Sequence, residues 1–223
     1  MKNVKIYGDS ILKGVVYNEE LGRYKINRYD FSDIVSSGLT VANESKMGAT
    51  VGKGLEIMKA TLGDDESDTL VVLEYGGNDC NYDWKAVSEN PKGEFLCATP
   101  EEDFIKTYGE MIDFARSKGA KVAVCTLVPI DSDKFMEWIS KGLDRANILS
   151  WLGGVSMLGR WQEYYSRLSE SIAKIAKCPI IDLRSSFLCR RGLGEYICAD
   201  GMHPNERGHK IISDALQKAL LAI

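Results

Sequence analysis

Val4-Lys5-Ile6-Tyr7-Gly8-Asp9-Ser10 is the stretch on which the reading of this chain turns. Val4 to Tyr7 has the character of a short strand, and it runs into a polar turn that carries a serine. In an open parallel sheet that serine would sit at the carboxyl end of the first strand, where such sheets place their ligands. A serine there can act as a nucleophile if a base and a set of oxyanion donors converge on it. Those partners must come from elsewhere in the 223 residues.

The length suits one domain with a substantial core, and the apolar share of 44% is that of an ordinary globular protein. The net charge is −4 with no long basic run, so no nucleic-acid partner is expected. No apolar run reaches the ~18 residues a membrane helix needs. Met1-Lys2-Asn3-Val4 passes straight into the first strand rather than into a signal peptide. A cytoplasmic protein, or a chain already processed, is the expectation. The six cysteines (80, 97, 125, 178, 189 and 198) form no CxxC pair and are expected to be reduced. With two histidines, neither beside a cysteine pair, no metal or other cofactor is expected. Oligomeric state is not encoded at this level.

Working outward, strand and helix patterns alternate, which argues for an α/β fold with a parallel sheet covered on both faces. Ile11 to Val16 reads as a turn or helix, and residues 18–30 as a polar, tyrosine-rich surface excursion. Residues 32–38 read as a short helix with Phe31, Ile34 and Val35 on one side. Leu39 to Glu44 is a second strand, and Thr50 can cap a helix from Val51 to about Leu62. Thr69 to Tyr75 is a nearly continuous apolar run, as expected of a strand buried on both faces. Cys80 to Thr99 is a long loop. A helix then runs from Pro100 to Lys118, with Thr99 as its cap. Lys121 to Val128 is a fourth strand and Pro179 to Leu183 a fifth, separated by an excursion (130–159) and a helix from Arg160 to Lys177. After a wandering segment to Ala199, Pro204 opens a C-terminal helix whose buried face holds Ile211, Ile212, Ala215, Leu216, Ala219 and Leu220. His209 in that helix reads as a surface residue.

Four polar stations stand at element ends: Gly8-Asp9-Ser10, Lys46-Met47-Gly48, Gly76-Gly77-Asn78-Asp79 and Asp200-Gly201-Met202-His203. In a doubly wound sheet the first three emerge on one edge, and the fourth can reach it. Neutral His203 suits the removal of a proton from Ser10. Asp200, three residues upstream, can hold that imidazole in the useful tautomer. The Ser10 N–H at a helix start, the Gly48 N–H and the Asn78 side-chain amide are the candidate oxyanion donors. Each station taken singly is also ordinary turn or capping chemistry. Asp9 and Asp79 are expected to brace their turns rather than to react.

As an ordered set the four blocks resemble the SGNH hydrolases, also called GDSL-type lipases and esterases. Gly8-Asp9-Ser10 is similar to that family's first block, Gly48 to the second, Gly76-x-Asn78-Asp79 to the third, and Asp200-x-x-His203-Pro204 to the last. Ile11 stands where leucine is common. The resemblance spans residues 4 to about 220. It implies a three-layer α/β/α, flavodoxin-like fold with a five-stranded parallel sheet, forming one domain over 1–223. The excursions at about 80–99 and 130–159 would then form a lid. It also implies ester hydrolysis without metal: catalytic Ser10, His203 and Asp200, with Ser10, Gly48 and Asn78 as the oxyanion hole. The substrate stays open among acetylated carbohydrates, lipids, thioesters and small acyl esters. An acyltransferase with the same triad, or a ligand-binding domain without turnover, are the alternatives. Tyr82, Trp84, Trp138 and Trp151 fall in the two excursions, where they would line a substrate slot or fill a small lid core.

Overall fold

The computed structural model describes residues 1–27, 29 and 35–223. Five strands form one parallel sheet: β1 (Asn3–Gly8), β4 (Thr40–Asn43), β5 (Thr69–Glu74), β6 (Lys121–Cys125) and β7 (Ile180–Ile181). Their order is β4-β1-β5-β6-β7. The order therefore reverses beside β1, between β1 and β5, which is where doubly wound sheets open their ligand crevice.

Alternation along the strands builds two cores. Tyr7, Val71, Leu73, Val122 and Val124 point to one face. There they meet α2 (Val51–Thr61), α4 (Glu101–Ser117) and α7 (Ser156–Ile175). Val4, Ile6, Leu70, Val72 and Cys125 point to the other. That face is covered by α1 (Ser10–Lys13), α8 (Leu183–Leu188) and α9 (Glu206–Ala222). A third apolar cluster lies over the strand ends, built from α3 (Trp84–Glu89), α5 (Ser132–Ile139), α6 (Arg145–Leu152) and the start of α7. Among the described residues no helix is long and apolar enough to cross a membrane.

Several boundaries differ from the expectation for local reasons. Helix α1 stops at Lys13 because Gly14 adopts φ +83°, and a Cβ there would meet the Asn27 carbonyl oxygen at 2.1 Å. The chain then forms an antiparallel hairpin, β2 (Val15–Asn18) with β3 (Arg23–Ile26), in place of a continuing turn and an irregular excursion. Two strand-prone runs flanking a glycine-bearing turn carry that signal. Helix α4 has Pro100 at its cap with no side-chain cap bond; Thr99 instead donates its N–H to the Asp79 carbonyl at 2.9 Å. Helix α9 starts after Asn205, whose side chain accepts the Gly208 N–H, so Pro204 precedes the helix rather than opening it. Helix α7 starts earlier than expected, just after Gly153 and Gly154. Asp182 caps α8, which cuts β7 short and makes a helix of part of the segment expected to wander. The expected helix over 32–38, with Phe31 and Ile34, falls largely outside the described residues.

Candidate active site

Gly8 pairs with Glu74 across the β1–β5 ladder, so two strand ends lie side by side at the reversal point. Asp9 follows β1 and its carboxylate accepts the Ile11 N–H at 2.7 Å, which caps α1. Ser10 is thereby the first helical residue, where a backbone N–H has no intrahelical acceptor.

The turn before α9 brings the imidazole. Asp200 Oδ1 accepts the backbone N–H groups of Met202 and His203, each at 3.0 Å. Its other oxygen lies 2.6 Å from His203 Nδ1, and His203 Nε2 lies 2.8 Å from Ser10 Oγ. An ionised Asp200 can only accept, so in the neutral ring Nδ1 carries the proton and Nε2 turns a lone pair to the Ser10 hydroxyl. Burial opposes the charge on Asp200, but the His203 hydrogen bond, the His203 charge and the two backbone donors outweigh it and hold the carboxyl below its usual range. Gly201 allows this turn to sit under α5: it adopts φ +73°, and a Cβ would fall 2.1 Å from the Phe135 nitrogen. Its carbonyl accepts the Asp131 N–H at 2.8 Å.

Asn78 follows β5 and is tied to the same point. Its Nδ2 donates to Asp9 Oδ2 at 3.0 Å and to the Ala49 carbonyl at 3.1 Å. Gly48, next to Ala49, lies on an exposed turn closed by the Ala49 N–H to the Lys46 carbonyl. Asp79 accepts the Val51 N–H at the start of α2. Burial pushes its carboxyl up to about 6. The structure thus brings Ser10, His203, Asp200 and Asn78 together. Asp9 and Asp79 brace neighbouring backbone.

Three participants carry no motif. Glu74, at the end of β5, is 1% exposed and its Oε2 has no hydrogen-bond donor. Burial first, then the negative charge of Asp9, raises its pKa well above the carboxylate range. Its signal was a lone acid in an otherwise apolar strand. Tyr24 on β3 places its ring 5.1 Å from the His203 ring, a contact that a misread hairpin hides. Trp161 on α7 joins the aromatic wall described next.

A cavity of about 240 Å³ opens on Ser10. Asp9, Glu74 and Gly77 form its base, and Tyr82, Trp84, Trp151 and Trp161 stand among its walls. These rings also pack on one another, Tyr82 to Trp151 at 4.8 Å. Their indole N–H groups are turned to protein acceptors: Trp84 to Asn81, Trp151 to the Gly93 carbonyl and Trp161 to the Cys80 carbonyl. Trp138 is elsewhere, 4.8 Å from Tyr17 and beneath the Lys141 ammonium. His209 is corrected from surface to core. It is 2% exposed, with Nε2 at 2.9 Å from the Val15 carbonyl and Nδ1 at 2.9 Å from the Tyr29 hydroxyl.

A model of the GDSL-like Lipase/Acylhydrolase family matches residues 6–211. The chain belongs to that family. GDSL-type folds of known structure superpose on nearly its whole length. A lipase/acylhydrolase from Enterococcus faecalis is 16% identical with a TM-score of 0.65, covering 100% of this chain and 96% of its own. A member of the lipolytic G-D-S-L family from Veillonella parvula is 18% identical with a TM-score of 0.66, covering both chains fully at 100%. An acetylxylan esterase from Geobacillus stearothermophilus is 16% identical with a TM-score of 0.64, covering 98% and 94%. No curated protein matches the sequence. The GDSL-type three-layer α/β/α architecture is the one described above, and the hairpin β2–β3 forms a separate two-stranded antiparallel sheet.

Proposed function

We propose that this protein is a serine carboxylic ester hydrolase that works through an acyl-enzyme on Ser10. The observation that carries the reading is the unbroken chain Ser10 Oγ, His203, Asp200, with links of 2.8 and 2.6 Å, at the mouth of the cavity. His203 Nε2 takes the Ser10 proton as Oγ attacks the ester carbonyl, and Asp200 stabilises the imidazolium. The tetrahedral oxyanion is received by the Ser10 N–H, the Gly48 N–H and Asn78 Nδ2. His203 then gives its proton to the leaving alcohol oxygen. In the second half it takes one from water as the water oxygen attacks the acyl carbon, and returns it to Ser10 Oγ as the acyl–oxygen bond breaks and the carboxylic acid leaves.

Asn78 donates to Asp9 and to the Ala49 carbonyl in the resting site. Receiving an oxyanion therefore means sharing one of those two N–H groups. Asn78→Ala is expected to lower kcat by ~10²–10³, the usual effect of losing one oxyanion donor. Ser10→Ala is expected to lose at least ~10³-fold in kcat/KM on any p-nitrophenyl ester the wild type turns over. Equal rates for wild type and Ser10→Ala would remove Ser10 as the nucleophile.

A further inference from the structure

We infer that the cavity beside Ser10 receives the acyl half of the ester, and that this half is an aliphatic chain of about six to ten carbons rather than an acetyl group. The inference rests on the proposed ester hydrolysis at Ser10 and names the substrate class.

Proton delivery decides which half of the ester goes where. The leaving alcohol oxygen must lie against His203 Nε2, because that nitrogen gives it a proton. Ser10 borders the cavity, and His203 is not among its walls. His203 is instead flanked by the Tyr24 ring of the hairpin. The alcohol half therefore leaves toward the hairpin, and the acyl half extends away from it into the cavity.

Size and chemistry then select the acyl group. A methyl group is comparable to a water molecule, whose share of liquid volume is ~30 Å³. Acetyl would leave most of the roughly 240 Å³ unfilled. Most of the lining is ring faces and aliphatic side chains, including Leu127 and Leu158, with Asp9, Glu74, Asn81 and Gln162 as its polar members beside Ser10. The tryptophan N–H groups are turned to protein acceptors. Gln162 is likewise occupied, donating to the Val128 carbonyl and accepting from Arg184. A sugar hydroxyl would find few partners along these walls, whereas a methylene chain needs none. Each methylene fully removed from water contributes about fourfold in binding, and binding shared with the transition state appears in kcat/KM.

The test is a series of p-nitrophenyl esters from acetate to dodecanoate, run on wild type, Leu158→Trp, Trp151→Ala and Ser10→Ala. Wild type should rise at least ~30-fold in kcat/KM from acetate to octanoate. Leu158→Trp, which fills the wall, should lower the octanoate-to-acetate ratio at least ~10-fold. Trp151→Ala, which enlarges the cavity, should move the optimum to longer chains, and it keeps the test open if Leu158→Trp fails to fold. A wild-type optimum at acetate overturns the assignment. So do folded variants with an unchanged chain-length profile. Ser10→Ala separates the two failures. If it is inactive while wild type prefers acetate, only the acyl assignment falls; if it matches wild type, the hydrolase reading falls first.

Discussion

Glu74 shows what one side chain can do from beneath a site. Its buried carboxyl faces Asp9, itself 2% exposed and already accepting from Ile11 and Asn78. Two adjacent buried carboxylates cannot both be ionised without severe repulsion. Burial and the charge of Asp9 put the proton on Glu74. As a neutral acid, Glu74 can donate to Asp9, which in turn accepts from Asn78. Glu74→Gln preserves an N–H donor and is expected to keep kcat within a few-fold of wild type. Glu74→Leu leaves the Asp9 charge with one donor fewer. The expected loss is ~1–3 kcal/mol in urea unfolding, with a fall in kcat larger than any change in KM. Equal kcat for the two variants would mean that Asp9 needs no donor on that side. Ser10, Asp200 and His203 were legible in the sequence only through the joint order of the four blocks and their resemblance to the SGNH hydrolases, because each station taken singly also reads as turn or cap chemistry. Glu74 and Tyr24 were not, because they belong to none of the four blocks and lie within strands, where no turn or cap marks them.

Among the elements, α5 and the turn Asp200–Pro204 act as one unit. The turn is pressed against the first residues of α5, with no room for a side chain at position 201. Lys134 on α5 adds ties to the Gly194 and Ile197 carbonyls, on the segment leading into the same turn. Gly201→Ala must push the two apart and also strain a positive φ. A displacement near 1 Å in a catalytic group costs about 10²-fold in rate. Gly201→Ala is expected to lose that much in kcat/KM and to melt at a lower temperature; unaltered kinetics would show that His203 tolerates movement of α5. The sheet was legible because Thr69–Tyr75 and Val122–Cys125 are buried on both faces and read as nearly continuous apolar runs. The hairpin was less so, because its strands are only four residues long and the second, Arg23–Ile26, is largely exposed and carries two charges. His209 could have been found from periodicity: it stands three residues before Ile212 and seven before Leu216, on the buried face of α9.

At the scale of the whole molecule, His209 fastens α9 to the segment that carries Ser10. The Val15 carbonyl can only accept, so the neutral ring keeps its proton on Nε2, and Nδ1 at 2.9 Å shares the Tyr29 hydroxyl with the Ile11 carbonyl, which takes it at 2.6 Å. Burial lowers its pKa to about 4. Between pH 6.5 and 4 the unfolded chain therefore binds a proton that the folded chain refuses, and stability falls as the pH falls through that window. Asp79, raised to about 6 by burial, works the other way: its contribution is largest in acid and declines as the pH climbs toward 6. Wild-type melts over this range combine the two opposed slopes, so the variant difference is the cleaner reading. The margin of wild type over His209→Gln in urea unfolding is expected to shrink by up to ~3 kcal/mol from pH 7 to pH 4. A margin constant with pH would mean that His209 is protonated in the fold. The bond between Ser10 and His203 joins positions 193 residues apart. A ribosome must therefore release most of this polypeptide before the nucleophile can meet its base, and a nascent chain that stalls earlier carries a serine with no means of attack.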